Sequence, residues 1–357
     1  MERNLKKVYL KCYYCKNLGD DIFIDIISKR YPNIIFNIYG DDNYMNKNNI
    51  KIINRNLFTK LVNKILMMLT NGKINIETFF SKRCDFNVIL GGSMFIEKEL
   101  NPYEYLNKKK TFILGINFGP YSSEQYYNYC FNYFSDAKDV CFRDQKSYDL
   151  FNKIETARIA PDIVFSLDNK NDDYCSKRII ISPIDCTNRF GKKVREKYES
   201  FLKQIICLYI EKGFSVGLMS FCKQENDHIV VKRLYEEINS QQVDCFYYEG
   251  NINEAIDYIN NSSIIVGSRF HANILGIKLN KSIIPIAYSD KTIDALNNLG
   301  FDKYIFDIRK IDEWNLTSID DEYLCNKIDV SRITKEAENH FSKLDLALRG
   351  HIDGERK

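Results

Sequence analysis

The chain has 357 residues, 45% hydrophobic and 28% charged, which is enough for two domains with separate cores and too apolar for a disordered protein. Its 51 Lys and Arg against 48 Asp and Glu leave a net charge of +3 spread along the sequence, so no nucleic-acid partner is expected. No apolar run approaches the roughly 18 residues of a membrane helix, and eleven cysteines without small-domain spacing suit reduced thiols, so the expectation is a cytoplasmic protein with at most peripheral membrane association.

Residues 8–14 read as a first strand, followed by a loop over 15–20 and a helix whose Ile22, Phe23, Ile26 and Ile27 share one face until Tyr31-Pro32 stops it. Cys12 and Cys15 have C-x-x-C spacing, but no second pair lies nearby and structural roles are assigned to both. Residues 34–39 and 51–54 read as strands, and Leu57, Leu61, Ile65, Met68 and Leu69 stripe the next helix as core. Apolar strands at 86–90, 111–116 and 140–142 follow, the first two running into glycines. Near-continuous apolar strands alternating with helices argue a parallel sheet covered on both faces.

A polar run at 168–173 is the expected interdomain linker, and a second alternating unit follows it. Strands are predicted at 179–184, 214–219, 243–248, 264–266 and 282–287, with helices at 194–212, 226–238, 252–259, 272–277 and 293–299. Ile333, Ala337, Phe341, Leu344 and Leu348 recur at helical spacing and predict a terminal helix. The expected division is 1–168, 177–328 and a terminal helix in 329–357. Two doubly wound units create a cleft between sheet edges, the usual place for a ligand. Only one glycine follows the first strand, so the dinucleotide-binding fingerprint is absent and NAD chemistry is disfavoured.

Arg269 and His271 sit where the strand at 264–266 gives way to a helix. Such a turn lies at the carboxyl edge of the sheet, where an arginine fork and a titratable imidazole suit phosphate or carboxylate chemistry. The plainer alternative is a surface ion pair and a helix cap. His228, His340 and His351 are read as solvated, on helix surfaces or near the chain end.

Ser268-Arg269-Phe270-His271-Ala272 resembles the Arg-x-His signature of the polysaccharide pyruvyl transferase family. Asn17-Leu18-Gly19-Asp20, Gly91-Gly92-Ser93, Gly115 to Pro120, Arg143-Asp144 with Ser147, Ala160-Pro161-Asp162 and Tyr288 to Lys291 resemble its other motifs, in the family's order. The chain departs from the pattern at Ser93, where the family has glycine, and at Ile181-Ser182-Pro183, which lacks the arginine that often ends that strand. The resemblance implies an α/β fold of two Rossmann-like doubly wound domains facing a cleft, GT-B-like, with the terminal helix packing back on the first domain.

The implied reaction transfers pyruvate from phosphoenolpyruvate to a sugar of a polysaccharide or lipid-linked oligosaccharide as a ketal and releases phosphate, in exopolysaccharide or capsule assembly at the inner face of the cytoplasmic membrane. A donor bearing phosphate and carboxylate calls for fixed cations, and carbon protonation calls for an acid. Arg269 and Arg143 are expected to be cleft-facing clamps rather than core, with Phe270 and Lys291 as further donor contacts. His271 is the expected acid/base group and Asp20 its partner, although Asp20 serves equally as a helix cap. Asn17, Gly19, Gly91, Gly92, Ser93, Asn117 and Gly119 are assigned to the acceptor or to lining the cleft, with ordinary turn roles as the alternative. No metal-ligand spacing is present, and no metal or cofactor is required. A GT-B-type glycosyltransferase using a nucleotide sugar, or a non-catalytic glycan- or anion-binding protein of the same fold, stands as the alternative function.

Overall fold

The computed structural model describes residues 5–71, 74–98, 103–168 and 177–349. All but the first residue of the predicted linker at 168–173 lies outside them, as does His351. The packing divides the chain into two compact units. One contains residues 1–14, 23–166 and 333–357, and the other contains 15–22 and 167–332. Residues 15–22 thus belong with the second unit rather than with the amino-terminal one.

The first unit carries strands β1 (Lys7–Lys11), β2 (Ile35–Gly40), β3 (Ile50–Asn54), β4 (Phe86–Leu90), β5 (Thr111–Ile116), β6 (Asp139–Phe142) and β7 (Ala157–Ile159). They form one sheet in the order β3-β2-β1-β4-β5-β6-β7, parallel at every pairing. Its helices are α1 (Leu18–Arg30), of which residues 23–30 belong to this unit, α2 (Leu57–Leu69), α3 (Ile76–Lys82), α4 (Glu124–Ser135) and α5 (Gln145–Phe151). The central strands β4, β5 and β6 are almost wholly buried, as unbroken apolar runs require when helices cover both faces of a sheet.

The second unit repeats the plan with strands β8 (Arg178–Ser182), β9 (Ser215–Ser220), β10 (Val243–Tyr247), β11 (Ile264–Gly267), β12 (Ser282–Ala287) and β13 (Phe306–Asp307). Their order is β10-β9-β8-β11-β12-β13, again parallel throughout. Helices α6 (Thr187–Glu211), α7 (Asp227–Ile238), α8 (Ile252–Asn260), α9 (Phe270–Lys278) and α10 (Asp290–Asn298) connect them, and α11 (Asp321–Leu324) follows β13. Both sheet orders reverse direction about their first strand, the topological switch that leaves a crevice at the carboxyl ends.

The terminal segment folds as α12 (Ser331–Ala337), a 3-10 turn over Glu338–Phe341 and α13 (Ser342–Arg349), not as one helix. It is joined to the first unit by Arg30, which pairs with Glu338 and Asp345, and by Lys6, which donates to the carbonyls of Ala347 and Leu348.

Three sequence expectations are corrected. The predicted core stripe of α2 faces outward: none of its residues is buried, and Leu57, Met68 and Leu69 are 86%, 71% and 74% exposed. His340 is fully buried, its Nε2 2.7 Å from the carbonyl oxygen of Pro161, because the 3-10 turn directs it inward. Asp20 is not on a loop, since α1 already starts at Leu18, with the Asp21 N–H donating to the Asn17 carbonyl.

Candidate functional site

In the first unit, four of the sequence motifs meet at the carboxyl ends of β4 to β7. Arg143 follows β6, and its guanidinium donates to Asp162 at 2.7 Å and to the Asn117 side chain at 2.9 Å. Gly92 lies against it so closely that a Cβ there would fall 1.9 Å from Nη2, so a side chain at this position would have to displace the guanidinium. Asp144 caps α5 through the Ser147 N–H, and the Ser147 hydroxyl donates to the same carboxylate while accepting from the Phe118 N–H. The Arg-Asp-x-x-Ser spacing therefore fixes the strand end that carries Asn117. Gly91 is buried at the end of β4, Ser93 is exposed beyond it, and the Gly119 N–H donates to Phe95.

Arg143 is 9% exposed and committed to a buried carboxylate, which corrects the expectation of a cleft-facing clamp rather than core. Behind the pair stands His340, whose pKa burial lowers to about 4; the nearby Arg158 and Arg143 charges lower it too, against the Pro161 hydrogen bond.

In the second unit, residues 15–22 and the turns after β8, β9, β11 and β12 form another cluster. Leu18 N–H donates to Phe221, and Asn17 bridges to Cys222. The Cys222 thiol is held below its ordinary pKa, first by a hydrogen bond with Cys15, against its burial. Asp21, fully buried, accepts from the Tyr248 hydroxyl at 2.7 Å. Gly19 packs against His271: a Cβ at Gly19 would fall 1.8 Å from Nδ1 of the imidazole. Phe270 meets the same ring edge-on at 5.1 Å. The Asn-x-Gly-Asp and Arg-x-His motifs, some 250 positions apart, are thus one contact. His271 is the second residue of α9, half-buried, at the carboxyl end of β11. Phe270 is mostly buried, with the Lys291 ammonium 4.9 Å from its ring.

Arg269 caps α9, and its side chain turns back to Asp227, the first residue of α7. Nε donates to one oxygen of Asp227 at 2.9 Å, Nη2 pairs with the other, and Nη1 pairs with Glu225. Asp227 has no exposure and accepts the Phe221 and Cys222 N–H groups as well. Burial disfavours the Arg269 charge, yet Asp227 and Glu225 outweigh it and raise the pKa. The ion pair with Asp227 ties the turn after β11 to the turn after β9, while Arg269 keeps a place in the wall of a cavity.

Glu225 differs from Asp227 in being exposed, with 43% of its side chain in solvent. It shares with Arg269 a cavity of about 200 Å³ lined also by Asp185, Asn188, Arg189 and Tyr288; His271 is not part of its wall. Arg189 is exposed, stacks 4.8 Å from the Tyr288 ring and makes no ion pair among the described residues. The turn beneath is held by the Tyr198 hydroxyl, which accepts the Ile184 N–H and bonds the Ser268 hydroxyl.

Arg189, Glu225 and Asp227 were not singled out in the sequence. Arg189 falls before the predicted helix start at 194, whereas α6 begins at Thr187 and breaks at Gly191, where φ is 82°. The β8 end lacks an arginine, and Arg189 supplies one seven residues later.

A family profile described as polysaccharide pyruvyl transferase matches residues 17–290. The amylovoran biosynthesis protein AmsJ of Erwinia amylovora is 22% identical over 342 residues, covering 82% of this chain and 81% of that protein. Among solved structures, an alpha,alpha-trehalose 6-phosphate synthase from Burkholderia multivorans superposes with a TM-score of 0.53 at 7% identity, covering 98% of each chain. The trehalose-6-phosphate synthase OtsA gives 0.52 at 10% identity, covering 96% of this chain and 95% of its own. Those two likenesses show the fold, two Rossmann-like units of the GT-B type.

Proposed function

This chain belongs to the polysaccharide pyruvyl transferase family, a family of enzymes, and on that premise we propose that its donor is phosphoenolpyruvate and its acceptor a sugar on a lipid-linked repeat unit. The relationship to an amylovoran biosynthesis protein supports a role in exopolysaccharide assembly. Such an acceptor would be presented at the inner face of the cytoplasmic membrane.

The observation that carries the donor assignment is the cavity where Arg269 meets an exposed glutamate beside Arg189, which makes no ion pair among the described residues. At about 200 Å³ it is smaller than the roughly 300–1,000 Å³ of pockets for drug-sized ligands, which favours a small anion over a nucleotide sugar. Asp227 is the permanent partner of Arg269. Glu225, solvated and on a short 3-10 turn, is the exchangeable one, and a donor oxygen would take its place on Nη1 while Arg189 holds a second anionic group.

The reaction needs a proton delivered to the methylene carbon, which generates an oxocarbenium-like centre at the neighbouring carbon. One sugar hydroxyl adds there and loses its proton, phosphate departs with the bridging oxygen, and a second hydroxyl closes the ketal, losing the other proton. Net, one hydroxyl proton ends in the new methyl group and one on phosphate. His271 is the group we assign to proton transfer, with Asp20 as the alternative.

The test is phosphate release from phosphoenolpyruvate with lipid-linked oligosaccharide, with mass spectrometry of the acceptor. Ketal formation with released phosphate is the expected result; nucleotide release from a nucleotide sugar instead would make the protein a glycosyltransferase. His271→Gln should bind donor within roughly threefold of the parent while turnover falls on the order of 10²-fold. Turnover that survives while only binding falls would make His271 a ligand contact.

A further inference from the structure

Helix α2 is apolar on the side that faces away from the protein. Counting about 100° per residue, Leu57, Met68, Leu61, Ile65, Phe58 and Leu69 fall on one arc. All six are exposed, between 43% and 86%. Thr59, Val62, Asn63 and Leu66 occupy the opposite side and are the half-buried residues that seat the helix. The seat is specific: the Asn63 side chain accepts the Ile76 N–H that opens α3, at 2.8 Å, and Asn56 caps the first turn through Thr59. The helix is therefore fixed with its apolar face outward, and the face is not the edge of an unfinished core.

Charge decides what covers it. From Asn43 to Ile76 the sequence has six basic residues and no acidic one. Lys60 and Lys64 border the apolar arc on one side, exposed and without ion pairs among the described residues, and Arg55 is exposed just before the helix. Interface cores between proteins are depleted in lysine, and two copies meeting through this face would bring four uncompensated lysines together. An apolar arc with lysines along its border is instead the pattern of a helix lying in the headgroup region of an anionic bilayer, the side chains of Leu, Phe and Met entering the acyl boundary while the ammonium groups reach phosphates. Among the described residues no helix is long and apolar enough to cross a membrane, so such a contact would be peripheral.

The geometry points to α2 as a membrane-docking surface for anionic lipid. This goes beyond the proposed transfer reaction and holds whether or not phosphoenolpyruvate is the donor.

Sedimentation with vesicles of phosphatidylcholine and phosphatidylglycerol, against phosphatidylcholine alone, tests it. The full chain should partition onto the anionic vesicles and release as salt rises. Leu61→Glu with Met68→Glu changes two exposed side chains, so the fold should be retained, as circular dichroism can verify, and partitioning should fall at least tenfold. Lys60→Gln with Lys64→Gln should weaken anionic binding on the order of tenfold and flatten its salt dependence. The proposal is overturned if the parent ignores anionic vesicles, if the Leu61/Met68 double variant binds them equally well, or if light scattering shows a parent dimer that this variant dissolves. Vesicle binding requires no turnover, so failure of the transfer reaction leaves this result standing.

Discussion

Each of the two sheets ends in an arginine locked on a buried aspartate, Arg143 on Asp162 in the first unit and Arg269 on Asp227 in the second. The first pair is closed. Its side chains are 3% and 5% exposed, Gly92 and Asn117 cover the guanidinium, and His340 stands behind it. The second has a third member in solvent, Glu225, and a cavity containing another arginine. One motif type thus serves two ends: a closed pair fixes strand ends, whereas a pair with an exposed competitor can give up one hydrogen bond to a ligand. Nothing in the local sequences around Arg143 and Arg269 distinguishes them, because the carboxylates lie 19 and 42 residues away.

The largest effects expected follow from opening either pair. Arg143→Ala and Arg269→Ala each leave a buried carboxylate without its counter-ion, which costs about 3–5 kcal/mol of folding stability. Denaturant unfolding measures both losses; Asp227 keeps the Phe221 and Cys222 N–H donors, and Asp162 keeps that of Val164. Adding Asp162→Asn to Arg143→Ala should recover part of the loss by removing the stranded charge. Losses under about 1 kcal/mol in both single variants would return these arginines to the role of cleft-facing clamps.

Next in size is the acid sensitivity of the closed pair's support. His340 has its pKa lowered by burial from 6.5 to about 4. Above about 6.5 the ring is neutral in both states; below that the unfolded chain takes up a proton that the native chain refuses until about 4. Stability should therefore fall as pH drops from about 6.5 to about 4, by about 3 kcal/mol in all. His340→Gln should flatten that segment of the unfolding free-energy profile. An unchanged slope would place the acid sensitivity elsewhere.

Much of the architecture was legible because parallel strands buried on both faces leave unbroken apolar runs. The predicted strands at 86–90, 111–116 and 282–287 coincide with β4, β5 and β12. The short edge strands β7 and β13 left no such run. Helical periodicity located α2 but not the direction its apolar face points, which depends on Asn63 meeting Ile76. The motifs predicted which turns would matter. They did not reveal that Gly19 exists to admit His271, or that Arg143 and Arg269 are committed to aspartates, because those are contacts between distant segments. Arg189 was hidden by a helix start set seven residues too late, a boundary that the break at Gly191 obscures.

The finest comparison lies within the second unit, between the two groups that would compete for an anion. Arg189→Ala should weaken phosphoenolpyruvate binding ten- to a hundredfold, the scale of a lost charge-assisted hydrogen bond of about 1.5–3 kcal/mol, while leaving stability within about 0.5 kcal/mol because the side chain is exposed. Glu225→Gln acts in the opposite direction. An exposed ion pair is worth about 0.2–1 kcal/mol, so removing the glutamate's charge should tighten donor binding roughly two- to fivefold. Titration calorimetry with phosphoenolpyruvate, repeated with inorganic phosphate, separates the two. Tighter binding in Glu225→Gln together with weaker binding in Arg189→Ala means that the anion enters by replacing Glu225 on Arg269. If Glu225→Gln binds no better than the parent, Arg269 keeps both carboxylates in the complex, and the second unit's pair is as closed as the first's.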